Sequence, residues 1–370
     1  MSKLDANPDL MAVKNGVLNL RTGELSDFNL GHYITRQLDV EHDLTAKCPL
    51  FEKFLQTTFD GDADLISYVQ GILGYSMTPY VSRQEMYIFW GSAANGKSTL
   101  MNVIRDILGG YSVSLMRETL FDKVGNNTSP DLARLVSVRM AVVQEAESRQ
   151  RLNAPRIKEL TGGDTISVAQ KFKNPFDLKP VCKIFMLCNQ RPGMNASDEG
   201  LKRRLRLIPF ENVVPPDQRD PDLEQKLNAE ASGILNWLLE GVQAYYNKGI
   251  RVPEKVAEAT KQYIQDNDSV SGFLDDEIIK DPNATIPVAD LYEAYEQYCI
   301  DESLRAETKG GFGKNLTNLG FERTRKNSVR LWKNLRIKTN EDDMNRFACS
   351  SFRENVVLEG FRANHASEQG

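Results

Sequence analysis

The chain has little of what several common chemistries need. It carries three histidines (His32, His42 and His365), too few for a zinc site or a histidine-based triad to be the first reading. Its five cysteines (Cys48, Cys182, Cys188, Cys299 and Cys349) include no CxxC pair. Odd in number and widely spaced, they read as reduced, packed thiols. Cys182 and Cys188 stand six residues apart on one side of an apolar strand, which favours core packing over metal ligation. No run of about 18 apolar residues occurs, so no helical membrane span is expected. The opening MSKLDANPDL lacks an apolar signal core. Cations are not in excess either: 46 Lys and Arg against 51 Asp and Glu leave a net charge of −5. Bulk charge alone therefore argues against a nucleic-acid binder.

What is present is ordinary globular usage, 41% apolar and 26% charged, which excludes wholesale disorder. At about 150 residues per domain, the length suggests two or three domains. The start reads as a hairpin, with Asn15-Gly16 and Thr22-Gly23 as turn signals. Residues 49–59 and 62–77 carry apolar side chains at helical spacing, the second behind Asp62 as a candidate N-cap. From about residue 86 the texture changes. The runs MYIFW (86–90), VSVRMAVV (136–143) and VCKIFMLC (181–188) are nearly continuous apolar segments, as strands buried on both faces of a parallel sheet are. They predict an α/β core over about 80–215. Residues 222–249 predict one long amphipathic helix closed by Gly249, and 250–270 a polar helical connector. A small unit follows, with helices at 271–280, 287–303 and 310–319 and a two-stranded wing over 320–338 turning at Asn327-Ser328. The tail 339–370 is polar and weakly patterned, and is expected to be poorly ordered.

The strongest motif is GSAANGKS at 91–98, a match to G-x-x-x-x-G-K-[ST] between the strand MYIFW and an apolar-faced helix ending at Gly109-Gly110. Gly91 and Gly96 let backbone N–H groups turn inward around phosphate oxygens, and the helix N-terminus adds its positive dipole end. Gly91, Ser92, Ala93, Ala94, Asn95, Gly96, Lys97, Ser98 and Thr99 form the expected ATP-binding stretch. Lys97 offers charge to the β- and γ-phosphates, and the Ser98 hydroxyl offers a ligand to Mg²⁺. Trp90 reads as a core residue. A nucleotide site also needs acids at a neighbouring strand end, and VRMAVVQEAE (138–147) supplies Glu145 and Glu147. The alternative is a pair of solvated glutamates. Asn189, at the tip of VCKIFMLC, stands where open α/β sheets bind ligands, although asparagine also commonly ends strands.

Cations are concentrated rather than abundant. Lys202, Arg203, Arg204 and Arg206 precede an apolar strand, either as a trans-acting arginine finger or as a solvated or nucleic-acid-facing patch. Between 157 and 180 an alternating segment predicts a hairpin carrying Lys171 and Lys173, suited to a phosphate backbone or else merely solvated. Residues 305–338 hold ten Lys and Arg against two Glu. Arg323, Arg325, Lys326 and Arg330 lie in the wing, an electrostatic footprint for nucleic acid, while Phe321 and Trp332 read as small-core residues.

In this order, GSAANGKS, VVQEAE, LTGGDTISVAQKF, FMLCNQRP and RRLRLIPF resemble the superfamily 3 helicases, nearest the poxvirus-type and phage or plasmid primase–helicase group. The resemblance covers about 1–338. It implies an AAA+-like P-loop NTPase core (81–249) with an N-terminal hairpin and helical collar (1–80), the connector 250–270, a C-terminal winged helix (271–338) and the tail 339–370. It implies ATP and Mg²⁺ as cofactors, a homo-hexamer on single-stranded or forked DNA, and a separate primase or replication protein as a possible partner. The implied location is cytoplasmic, in a bacterial cell or in a phage- or virus-infected host. Lys97 and Ser98 take the Walker A roles, Glu145 the Walker B acid with Glu147 beside it, Lys171 the DNA-contacting hairpin, Asn189 the sensor, and Arg203 or Arg204 the finger. The acids are spaced E-A-E rather than adjacent, and Gln170 stands where many relatives have arginine. With only about 85 residues ahead of the ATPase, no primase domain is expected within the chain. The leading expectation is an ATP-driven helicase in replication of a phage, plasmid or mobile element. Its alternatives are an ATP-dependent initiator or remodelling machine without processive unwinding, and a DNA-binding adaptor in which the nucleotide is structural.

Overall fold

The computed structural model describes residues 4–121, 130–144, 151–169, 174–302, 304 and 306–339. The chain divides into two compact units, Met1–Asn267 and Asp268–Gly370.

The first unit opens with β1 (Leu10–Val13), β2 (Gly16–Asn19) and β3 (Leu25–Ser26), an antiparallel sheet in that order. Register pairs Val13 with Gly16, so the first turn is Lys14-Asn15, one residue earlier than the sequence suggests. The Asn15 side chain is committed elsewhere: its amide donates to the His42 carbonyl at 3.0 Å and its oxygen accepts the His42 N–H at 2.9 Å. Helices α1 (Pro49–Thr58) and α2 (Ala63–Tyr75) follow, and Asp62 caps α2 by accepting the Leu65 N–H at 2.9 Å.

The core sheet is built from β4 (Met86–Trp90), β5 (Ser112–Leu115) and β6 (Met140–Gln144), then, after α4 (Ala154–Gly162) and the hairpin of β7 (Ile166–Val168) and β8 (Phe176–Leu178), from β9 (Lys183–Cys188) and, after α5 (Glu199–Lys202), from β10 (Leu205–Pro209). All five core strands are parallel, in the order β10-β4-β9-β6-β5. β5 is not legible from sequence pattern, because SVSL is short and half polar. Helix α3 (Lys97–Leu108) joins β4 to β5. Because strand side chains alternate, Tyr87 and Phe89 of β4 enter one core with α1, α2 and α3, whereas Met86 and Ile88 enter a second core with α4.

The predicted single helix over 222–249 is two, α6 (Leu223–Asn228) and α7 (Ala231–Lys248). At the break, the Glu230 carboxylate accepts the Leu50 and Phe51 N–H groups at 3.1 and 2.9 Å, supplying the cap that Cys48 does not give α1. α7 ends at Gly249, as expected. It crosses α2 closely: a Cβ on Gly74 would lie 2.5 Å from the Gly241 carbonyl carbon. The expected connector instead forms α8 (Glu254–Asp266), which is packed on β10. Val256 and Tyr263 are fully buried, and the Thr260 hydroxyl accepts the Leu207 N–H at 2.9 Å, closing the ladder on an edge strand. It is therefore a layer of the first unit, not a linker.

The second unit runs α9 (Ser269–Glu277), β11 (Ile278–Pro287), α10 (Val288–Asp301), α11 (Lys309–Asn318), β12 (Arg323–Lys326) and β13 (Val329–Ile337), with sheet order β11-β13-β12. β11 replaces the end of a predicted helix, because IIKDPNATIP alternates with neither period and gains its identity by pairing with β13. Trp332 is fully buried in this unit's core and Phe321 packs partly buried against it. The tail from 340 lies outside the described residues.

Two buried cations tie the segment between α2 and β4 to the amino-terminal edge of the core sheet, and one of them also reaches Pro8. Lys183 donates to the carbonyls of Thr78, Tyr80 and Val181 and lies 4.7 Å from the Tyr75 ring centroid. Arg139 donates to the Met77 carbonyl at 2.9 Å and the Pro8 carbonyl at 3.2 Å. Burial pushes the Lys183 ammonium well below the usual lysine range, the nearby Arg139 adding to the effect. Lys183→Met keeps the length of the side chain but strands its acceptors. It is expected to cost about 2–4 kcal/mol, read as a lower midpoint in urea denaturation at unchanged slope.

Candidate functional site

Parallel strands bring the carboxyl ends of β4, β9 and β6 to one edge, and β9 separates the loop strand from the strand leading to Glu145. Residues 91–96 form the turn between β4 and α3. A Cβ on Gly91 would lie 2.1 Å from the Phe210 carbonyl oxygen, so the chain leaves β4 through a gap only glycine fits. Ala94 and Gly96 adopt the left-handed region at φ 60° and 84°, the alternation that turns successive N–H groups toward a common centre. Ahead of α3, Gly96 offers no side-chain cap, so the first N–H groups of a 12-residue helix remain for an anion.

Lys97 is 5% exposed and folded back under the loop. Its ammonium donates to the Gly91 and Ser92 carbonyls at 2.7 Å each and to the Asn95 side-chain oxygen at 2.8 Å. Asn95, 2% exposed, also donates through its amide nitrogen to the Phe210 carbonyl at 2.7 Å. The Val214 N–H donates to the Ala94 carbonyl at 2.9 Å, so the loop is fastened to the chain leaving β10. Ser92, Ala93 and Ser98 are exposed, and Thr99 is half-buried. Asn189 is exposed immediately after Cys188, whose carbonyl accepts the Gly91 N–H at 3.3 Å. The structure thus gathers Lys97, Ser98 and Asn189 at one edge. Glu145 and Glu147 lie outside the described residues, as do Gln170, Lys171 and Lys173 between β7 and β8. β6 and the two hairpin strands that lead to them form as expected.

Trp90 is half-buried and packed against the second core, with the Arg191 guanidinium 4.8 Å over its ring. The two finger candidates separate. Both stand just before β10, at the sheet edge opposite Gly91, beside Gln84. Arg204 is 6% exposed and donates to the Thr161 hydroxyl at 3.1 Å and the Gly200 carbonyl at 2.6 Å. These bonds hold it inside its own fold. Arg203 is exposed. Arg206 pairs with Glu85 at 2.8 Å. The four-cation cluster read as one feature is therefore partly internal wiring, a distinction that needed the partner residues.

In the second unit, Asn327 and Ser328 both take positive φ (48° and 67°), making the expected two-residue turn. Arg325 faces Arg330 directly across the hairpin, and both are exposed with Lys326. Like charges so placed repel. Arg323 differs, its guanidinium stacking 4.4 Å over the Trp332 ring.

Three family models match successive stretches: "D5 N terminal like" over residues 1–60, the family of unknown function DUF5906 over 89–204, and "Poxvirus D5 protein-like" over 265–354. "Putative helicase L207/L206" of Acanthamoeba polyphaga mimivirus is 27% identical over 326 residues, covering 80% of this chain and 34% of that protein. "Putative helicase 184R" of Invertebrate iridescent virus 6 is 27% identical, covering 100% of this chain and 40% of its own length. The chain thus spans little more than a third of these relatives. Among solved structures, the apo C-terminal region of NrS-1 aligns with TM-score 0.51 at 14% identity, covering 88% of this chain and 82% of that one, which places the two in one fold. Among the described residues no helix is long and apolar enough to cross a membrane.

Burial lowers the Lys97 ammonium to about 8. A bound phosphate favours the charged form, so the pKa of the complex lies higher than that of the free site. If the loop takes a nucleotide, as proposed below, the affinity is full below about pH 8, and falls by up to ~tenfold per pH unit as the free lysine loses its proton. Titration calorimetry with ATP at a series of pH values checks this.

Proposed function

The chain belongs to the poxvirus D5-type family of superfamily 3 helicases, and from that membership we propose that it is an ATP-hydrolysing motor acting on single-stranded or forked DNA during replication. The carrying observation is the uncapped N-terminus of α3 behind Gly96, with Lys97 beneath it, at the carboxyl end of β4. Support comes also from the names of the viral relatives and from the order β10-β4-β9-β6-β5, which suits an AAA+-like core.

In this reading the entering phosphates take over Lys97 from the carbonyls of Gly91 and Ser92, while Asn95 keeps the lysine's position through its hold on Phe210. Backbone N–H groups of the loop and of α3 receive the phosphate oxygens. Ser98, exposed at the first turn of α3, and Glu145 would hold Mg²⁺, which neutralises charge on the β- and γ-phosphates when bound. Glu145 or Glu147 takes a proton from the attacking water, Asn189 orients the γ-phosphate, and the P–O bond to ADP breaks as the bond to water forms. Arg203, exposed at the far edge, is the finger for a neighbouring copy in a hexameric ring. Lys171 and Lys173 track the strand. The second unit, in the order helix, strand, helix, helix and hairpin, serves as a winged helix whose basic hairpin meets the phosphate backbone.

Lys97→Ala is expected to reduce ATP turnover by more than ~100-fold and to abolish fork unwinding. Arg203→Ala should bind ATP normally yet turn over slowly, and mixing it with Lys97→Ala subunits should restore part of the activity at mixed interfaces. ATP hydrolysis without strand separation on a fork substrate would instead favour an initiator or remodelling ATPase. Replacing Arg325, Lys326 and Arg330 together with alanine should weaken DNA binding equally across sequences. It should also reduce the slope of log affinity against log salt by about one for each phosphate that the hairpin no longer neutralises.

A further inference from the structure

The carbonyls of the turn into β10 all have partners. That of Arg204 accepts the Met86 N–H at 2.8 Å. Those of Arg203 and Leu205 both accept from the Arg206 guanidinium, at 3.1 and 2.8 Å. Arg206 reaches back along its own strand to do this, and its other terminal nitrogen pairs with Glu85 at 2.8 Å. Glu85 is 6% exposed and has both oxygens engaged. Arg83 meets it with two nitrogens, at 2.6 and 3.1 Å, and the Tyr87 hydroxyl donates to it at 3.1 Å. Arg83 also donates to the Ile250 carbonyl at 3.0 Å, just after α7. A series of charge-assisted bonds therefore runs from the end of α7, through a buried carboxylate, to the backbone of Arg203. The Arg203 side chain itself is exposed and donates to the Gln84 side-chain oxygen at 3.3 Å.

Resting on the reading of Arg203 as the finger for a neighbouring copy, we propose that Arg206 and Glu85 are positioning residues for that finger. Neither touches the phosphates; both act through the backbone from which Arg203 projects, so that its guanidinium is aimed before the neighbour arrives. A finger works by placing charge at the transferring phosphate, and an error of about 1 Å in such placement can cost ~100-fold in rate. A long side chain on an unrestrained turn does not hold that tolerance. The planar fork of Arg206 suits the task, since one group serves a carboxylate with one nitrogen and two carbonyls with the other. Stability alone is a poor account of the cluster, because a buried ion pair is often no more stabilising than apolar side chains of the same volume. Glu85 also supplies the negative charge that lets Arg83 and Arg206 stand together, in a stretch that already carries Arg203 and Arg204.

The test uses the full chain, alone and in mixtures. Arg206→Lys keeps the charge but has no fork to serve Glu85 and two carbonyls at once. It should lower ATP turnover by about tenfold or more while ATP affinity stays within about twofold. Its own phosphate loop is intact, so mixing it with Lys97→Ala chains, whose Arg203 is correctly held, should restore part of the turnover. Mixing it with Arg203→Ala chains should restore none. A purely structural role does not produce that pattern. Glu85→Gln, nearly isosteric, should repeat it, and carries the test if Arg206→Lys fails to bind ATP. Unchanged turnover in both variants, or a loss that Lys97→Ala chains do not restore, overturns the positioning role and leaves Arg203 as the finger wherever Arg203→Ala itself is restored. Full turnover in Arg203→Ala overturns the finger reading and this role together.

Discussion

The site depends on one buried amide. Asn95 holds the Phe210 carbonyl with its nitrogen and the Lys97 ammonium with its oxygen, so a single side chain joins the loop lysine to the end of β10. The anchor satisfies a strand-end carbonyl that the sheet leaves open, and it restrains a loop whose Ala94 sits in a costly backbone region. In the function proposed above, phosphates displace the carbonyls around Lys97 without the lysine losing its station. Reorganisation is confined to a few hydrogen bonds, the condition under which preorganised donors are most effective.

The opposite edge of the same sheet is organised differently. There Lys183 and Arg139 donate to carbonyls of the segment between α2 and β4, and Arg204 to Thr161 and Gly200. These cations hold backbone to sheet with no carboxylate ion pair among the described residues. They are thus unavailable to a ligand while ordering the elements that frame one. Of the two finger candidates, which together form the turn into β10, Arg203 is exposed and Arg204 buried.

The N-terminal helices are integral to this arrangement. α1 takes its N-terminal cap from Glu230, some 180 residues away in sequence, and presses Phe54 and Thr58 against Gly96. α2 meets α7 at a crossing close enough to require Gly74 and Gly241. An N-terminal collar domain is the expectation from sequence; what forms is one compact unit from the hairpin to α8, in which α1 and α2 share one of its two apolar cores with the loop helix.

Local pattern by itself determined the phosphate loop, the strands β4, β6 and β9, the caps at Asp62 and Gly249, and the Asn327-Ser328 turn. Each is written in a short stretch whose chemistry is independent of distant residues: glycines where φ must be positive, apolar runs where both faces are covered, a carboxylate before a helix. Tertiary structure decided β5 and β11, the break at Glu230, the docking of α8 and the fate of each arginine. In all of these the deciding partner lies far along the chain. A strand without alternation becomes one only when a neighbour accepts its hydrogen bonds, and a cation is internal or available according to which carbonyls the fold brings to it.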